Sequence, residues 1–182
     1  PDDWPVAGTT GYDASWRISA LQCDPNGYGD LGTVAHLVTG DIPGTLPDVI
    51  DQAKREITTT SLFAEVHRIA TLANHICRDD IMLRDHTFGW IRTCLTELVI
   101  AFDRYRAYVV PGEPVPDDAV ELVRHAAEKA NQKLDAELHD TMDVVVDLVL
   151  GREVGSEGRA QRAMRDELVV RFQQVCGAVT AK

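Results

Sequence analysis

The sequence has little positive charge and no long apolar run, and both shortages narrow its range of functions. It holds 18 lysines and arginines against 29 aspartates and glutamates, so its formal net charge is −11. This acidic balance argues against binding to the phosphate backbone of nucleic acids. No apolar run reaches the roughly 18 residues that a membrane-spanning helix needs. We therefore expect no membrane partner, and because no basic segment followed by an apolar one opens the sequence, nothing in it suggests secretion.

Metal-binding motifs are also scarce. The four cysteines form no CxxC pair and have no zinc-like spacing with histidine. His67 and His75 lie about two helical turns apart, and neither belongs to an HExxH motif. The acidic run between residues 135 and 147 lacks the internal glycine turn of a calcium loop. We therefore expect no metal, no cofactor and reduced thiols in a cytoplasmic protein.

What the sequence does contain is a succession of apolar residues at helical spacing. The steps of three and four residues predict amphipathic helices separated by turns, with a break over residues 58–61. No βαβ alternation and no internal repeat occurs, so the pattern predicts an all-α fold, an irregular helical array with at most short strands. The predicted helices begin near Tyr12, Leu31, Thr45, Leu62, Phe88, Pro116, Met142 and Met164.

The second of these helices follows a strong turn signal, Asp24-Pro25-Asn26-Gly27. Its apolar residues Leu31, Val34, Ala35 and Val38 are expected to face inward, and Gly40 is expected to end it.

The segment from Tyr105 to Val110 alternates bulky and small residues, which favours extended structure. In a strand, Arg106 and Tyr108 would share one face and Tyr105 would oppose them. Such a face would suit a polar ligand, and it would equally suit an amphipathic edge packed on helices. The pattern favours neither interpretation over the other.

The stretch Gly8-Thr9-Thr10-Gly11-Tyr12-Asp13 is the most unusual one in the chain. Its glycines allow a ligand to approach the backbone closely, Tyr12 offers a ring for a sugar, and Asp13 could accept bonds from sugar hydroxyls. The alternative is a loop in which Asp13 caps the following helix. Near the other end, Gln173 and Gln174 are adjacent amides that cannot both face inward, so one is a candidate for a polar site.

Taken together, these motifs resemble one family, the maltooligosyltrehalose synthases of the α-amylase superfamily. The resemblance runs from end to end and is most specific in the Gly-Thr-Thr-Gly-Tyr-Asp stretch and in the closing Phe-Gln-Gln to Ala-Lys stretch. The matching segments are Trp4 to Asp13, Asp24-Pro25, Glu65 to Ala70, Arg84 to Thr87, Tyr105 to Tyr108, Arg171 to Gln174 and Ala181-Lys182.

The resemblance implies an internal piece of a (β/α)8-barrel enzyme that is an intramolecular transglycosylase. Such an enzyme converts the reducing-end α-1,4 linkage of a maltooligosaccharide into an α,α-1,1 linkage, using a carboxylate nucleophile and a carboxylic acid. In the family the nucleophile and the acid precede the segment that matches Pro1, and a third aspartate follows Lys182. We therefore expect no catalytic residue and no activity in this chain, with the remaining barrel domains as partners.

The resemblance also implies different roles for three parts of the chain. Residues 1–13 would join the barrel at its active site, residues 14–164 would form a helical insertion, and residues 165–182 would lead back to the barrel. The implied substrate-binding residues are Gly8, Thr9, Thr10, Gly11, Tyr12, Asp13, Arg106, Tyr108, Gln174 and Lys182.

The chain departs from the family pattern at a few positions. Asp103-Arg104 stands where the family more often has Pro-Val, and Ala107 where it often has Thr. Ala178 and Thr180 replace the usual Pro and Met. The competing interpretation of the sequence is a stand-alone acidic helical module for protein interaction, with no sugar chemistry.

Overall fold

The structure is a computed structural model that describes residues 5, 7, 11–40, 45–156 and 161–181, with the side chain of Asp13 excepted. Over these residues the secondary structure consists of eight α-helices and two short 3-10 helices, and no strand is found. The predicted all-α class is therefore confirmed. The chain divides into two compact units, residues 1–45 and residues 46–182.

In the described residues of the first unit, two helices are joined by a tight turn. Helix α1 spans Tyr12–Gln22 and α2 spans Tyr28–Thr39, with the 3-10 helix Pro25–Gly27 between them. The Asp24 carboxylate accepts the backbone N–H of Asn26 at 2.9 Å, which stabilises the turn. These elements confirm the predicted turn and both predicted helices.

The apolar face of α2 does not lie inward. Leu31, Val34 and Val38 are 71%, 56% and 81% exposed, and Ala35 is exposed as well. The inward orientation expected for these residues is therefore wrong. Helical spacing identifies an apolar face, but it does not supply a surface to cover that face. Gly40 does end the helix, with φ at +75° and its N–H bonded to the carbonyl of His36 at 2.8 Å.

The second unit, in the residues that the structure describes, is a bundle of six helices around one hydrophobic core. Helix α5 lies at its centre and packs against every other helix of the unit. The buried residues of α5 include Ile91, Leu95 and Leu98, each fully shielded from solvent. The helices of this unit are α3 Leu46–Thr59, α4 Phe63–Arg78, α5 Phe88–Ala101, α6 Asp117–Asn131, α7 His139–Val149 and α8 Arg162–Thr180, with the 3-10 helix Ala136–Leu138 before α7.

Local side chains account for the end of α3 and the start of α5. Helix α3 stops at Thr59, within the break predicted for residues 58–61, where the Thr58 and Thr59 hydroxyls bond to carbonyls three and four residues back. Such bonds compete with regular helix geometry. Helix α5 begins after Thr87, whose hydroxyl accepts the N–H of Trp90 at 3.3 Å.

The connection between α5 and α6 is irregular rather than a strand. Its backbone turns sharply at Tyr108, where φ is +56°. The residues on either side, Ala107 and Val109, are both 5% exposed, whereas Arg106 and Tyr108 are exposed. The side chains of Arg106 and Tyr108, the two predicted site residues, are thus exposed to solvent, whereas Ala107 and Val109 pack into the core.

None of the helices in the described residues combines the length and the apolar composition that crossing a membrane requires.

Candidate functional site

Arg106 and Tyr108 line one cavity together with the end of the last helix. The cavity has a volume of about 350 Å3 and includes Thr180, the last residue of α8. We call it the loop cavity. Its lining residues are Asp103, Arg104, Tyr105, Arg106, Ala107, Tyr108, Asp118, Ala119, Leu122 and Thr180.

The side chains around the loop cavity balance one another in charge. Arg104 and Arg106 bring guanidinium groups, and Asp103 and Asp118 bring carboxylates. Two of these groups are partly engaged, since Asp103 forms an ion pair with Lys129 of α6 and Asp118 accepts the N–H of Ala119 at 2.9 Å. A balanced set of donors and acceptors beside tyrosine rings suits a neutral polyhydroxylated ligand better than an ion.

The backbone that carries Arg106 and Tyr108 is fixed by side chains from two helices. The Lys54 ammonium of α3 donates to the carbonyl of Phe102 at 2.6 Å. The Thr180 hydroxyl of α8 donates to the carbonyl of Arg104 at 3.4 Å. These bonds satisfy carbonyls of an irregular segment that has no strand beside it.

Gln173 of α8 makes the most complete of these attachments. Its Oε1 accepts the N–H of Val109 at 3.1 Å, and its Nε2 donates to the carbonyl of Val109 at 2.8 Å. The same Nε2 lies 3.3 Å from the carbonyl of Val169. Gln173 is only 7% exposed, while Gln174 is exposed. The structure thus confirms that only one of the two adjacent amides faces inward.

Gln174 belongs to a different place on α8. It lines a cavity of about 200 Å3 between α4 and α8, where two of the motifs that resemble the family meet. Glu65 and Arg68 on the α4 side are joined at 2.6 Å, and Arg171 on the α8 side bonds to Glu167 at 2.5 Å. The structure therefore does not bring Gln174 into the loop cavity.

The glycine-rich stretch lies in the first unit and is described only in part. Gly8, Thr9, Thr10 and Lys182 fall outside the described residues, as does the side chain of Asp13. Gly11 precedes α1 with φ at +83°, a conformation that glycine adopts readily. Tyr12 is 79% exposed, so its ring is open to a ligand.

The sequence patterns did not indicate a larger cavity, of about 710 Å3, between α3, α5 and α6. Ion pairs surround it: Arg55 binds both carboxylate oxygens of Glu97, at 2.5 and 2.9 Å, and Lys133 pairs with Asp51. Burial alone would raise the pKa of Asp51, but its bonds to Lys133 and Arg55 outweigh this and lower it.

Lys54 also borders this cavity and is 5% exposed. Desolvation lowers the pKa of its ammonium group, and nearby Asp103 opposes that shift only in part. Lys54 lies four residues after Ile50 and three residues before Ile57, so it shares their side of α3. This spacing is the sequence feature that could have indicated its burial.

Among the described residues, no group of three or more histidine, cysteine, aspartate or glutamate side chains is placed to hold a metal ion. Comparison of the chain with protein-family models, with curated proteins and with solved structures gives no match.

Proposed function

We propose that this chain is the helical part of a transglycosylase that converts the reducing-end α-1,4 linkage of maltooligosaccharides into an α,α-1,1 linkage. The resemblance of its motifs to maltooligosyltrehalose synthases is the starting point. The enzyme would act in the cytoplasm, in trehalose biosynthesis, as a glycosyl mutase without cofactor. Its (β/α)8 barrel would interact with this helical array.

The observation that carries the proposal is a cavity in which one matched motif meets the end of the closing helix. Arg106 and Tyr108 come from the Tyr105 to Tyr108 motif, and Thr180 comes from the end of the closing helix. These segments are far apart in sequence, yet they form one wall with donors, acceptors and aromatic rings. That composition fits a sugar whose hydroxyls need partners on several sides.

In this proposal the chain binds and orients the substrate, while carboxylates elsewhere in the enzyme break and form the glycosidic bonds. The retaining reaction proceeds through a covalent glycosyl intermediate, and the released glucose must be held and turned before it attacks that intermediate. Arg106 would donate to sugar hydroxyls and Tyr108 would offer its ring and phenol. Gln174, Lys182 and residues 8–13 are proposed as further substrate contacts.

The first experiment is a titration of the ¹⁵N-labelled chain with maltopentaose, followed by NMR. We expect the amide signals of Arg106, Tyr108 and Thr180 to shift together and to saturate. Arg106→Ala and Tyr108→Ala should weaken binding about 5- to 150-fold, since each removes a partner of a polar contact. Arg124→Ala is the matched control, because Arg124 is an exposed arginine of α6 that does not line the loop cavity.

Two outcomes would contradict the proposal. One is the absence of any shift around the loop cavity at millimolar sugar. The other is time-dependent formation of a non-reducing product by this chain alone, which would place the catalytic carboxylates inside it. The coding sequence on both sides offers an independent check, since the proposal requires barrel sequence that carries the missing carboxylates.

A second function, an acidic module for protein interaction, is favoured by one specific observation. The first unit exposes large apolar side chains along both of its helices, including Trp16, Leu21 and Leu37 at 63%, 87% and 78%. Exposed apolar side chains in such number are typical of surfaces that bind another protein. A gene that starts and stops at the ends of this chain would support this function and contradict the first.

A further inference from the structure

The segment from Phe102 to Val109 must satisfy its backbone polar groups without a neighbouring strand. Three side chains supply the partners: Lys54 for the Phe102 carbonyl, Thr180 for the Arg104 carbonyl and Gln173 for both polar groups of Val109. The segment is thus held at its start, its middle and its end by residues that are distant in sequence.

Within this attached segment, the backbone of Tyr108 adopts an unfavourable conformation. Its φ of +56° lies in the left-handed region, which a bulky aromatic residue rarely adopts. Such a conformation persists only where the surroundings fix it, and it is concentrated at functional sites. Here the next residue, Val109, is bonded at both its N–H and its carbonyl by the Gln173 amide.

We propose that Gln173 and Lys54 are positioning residues that hold Arg106 and Tyr108 in the geometry that binds a maltooligosaccharide. This inference rests on the proposed function and adds residues that do not belong to the loop cavity. Neither side chain lines that cavity, and both are at least nine-tenths buried, so they act through the backbone rather than on the sugar. A site fixed before binding loses less conformational freedom when its ligand arrives.

The test uses the full chain and the sugar titration with maltopentaose. Gln173→Met keeps the length of the side chain and removes both bonds to Val109. We expect the amide proton of Val109 to exchange faster with solvent and sugar binding to weaken roughly 5- to 50-fold, while the helical content stays unchanged. Gln52→Met is the matched control, because Gln52 is an exposed amide of α3. Lys54→Met should shift the Arg104 and Arg106 signals and weaken binding as well.

Gln173→Glu provides a readout that a merely structural residue would not affect. Its carboxylate accepts the Val109 N–H but cannot donate to the Val109 carbonyl, whereas the protonated form does both. Sugar binding by this variant, relative to wild type at the same pH, should therefore recover as pH falls. A flat ratio across pH would count against the positioning role.

The two proposals fail in different ways. If the wild-type chain binds no sugar, the proposed function fails. The positioning role is then decided by whether Gln173→Met speeds the exchange of the Val109 amide proton with solvent and shifts the amide signals of Arg106 and Tyr108. If that variant exposes the Val109 amide but binds maltopentaose like wild type, the positioning role is wrong and the proposed function stands. Unchanged Val109 exchange would also overturn it.

Discussion

The carboxylate of Asp80 holds Ser156 by two hydrogen bonds, although 76 residues separate them in sequence. Oδ2 accepts the Ser156 N–H at 2.8 Å and Oδ1 accepts the Ser156 hydroxyl at 2.9 Å. Asp80 is 2% exposed and also accepts the N–H of Met82 at 2.8 Å. The connection after α7 is thereby attached to the end of α4.

Gly155→Ala should disrupt this attachment. A Cβ at residue 155 would lie 2.3 Å from Oδ2 of Asp80, and the φ of +81° disfavours any residue other than glycine. We expect the free energy of unfolding to fall by about 2 to 4 kcal/mol, from strain and displacement of Asp80 together. Urea unfolding followed by circular dichroism measures it. Gly89→Ala in α5 is the control, since its Cβ would meet only Thr87 Oγ1 at 3.9 Å; a similar loss there would contradict the interpretation.

The sequence predicted most of the helices, but few of the contacts and connections between them. Helix spacing located α3 and α5, because a one-sided apolar face leaves a periodic signal. It failed for the orientation of Leu31 in α2, because periodicity does not reveal whether a partner surface exists. The bond between Gln173 and Val109 links residues 64 positions apart, and no local pattern records such a pairing. The left-handed conformation of Tyr108 was missed for the same reason.

Lys54 should make stability depend on alkaline pH. Desolvation lowers its pKa in the folded chain below the usual value of 10.5. Between the folded pKa and 10.5 the unfolded chain therefore binds more protons, so the stability of wild type should rise with pH in that window. At lower pH the contribution is constant. The measurement is urea unfolding of wild type and Lys54→Met from pH 8 to 11. A difference between them that stays flat up to pH 11 would refute the shift.

The thiols should differ sharply in reactivity. Cys77, Cys94 and Cys176 are buried, while Cys23 is exposed, and none of these cysteines forms a disulfide. Burial raises the pKa of Cys77 to about 11 and that of Cys94 to about 12. Iodoacetamide at pH 8 should therefore add one label to the folded chain and four in urea, as counted by mass spectrometry. Cys23→Ser should leave the folded chain unlabelled; rapid labelling of a buried thiol would be inconsistent with this core.

Limited digestion should cut the first compact unit before the second. Arg17, in α1, is the only lysine or arginine in residues 1–45. It is exposed, and its guanidinium lies 5.3 Å from the centre of the Trp16 ring. Helices of this length are marginal in water without packing, so trypsin should cut after Arg17 before it cuts α3 to α8. Arg17→Gln should remove this early product, and a first cut within the six-helix unit would show the opposite order of stability.

The exposure of residues 11–40 has a calorimetric consequence. The heat capacity change of unfolding comes mainly from apolar surface that passes from the interior into water. No described residue between Gly11 and Gly40 is buried, so melting of this stretch transfers little such surface. Residues 11–40 should therefore add little to the heat capacity increment that unfolding of residues 46–182 produces.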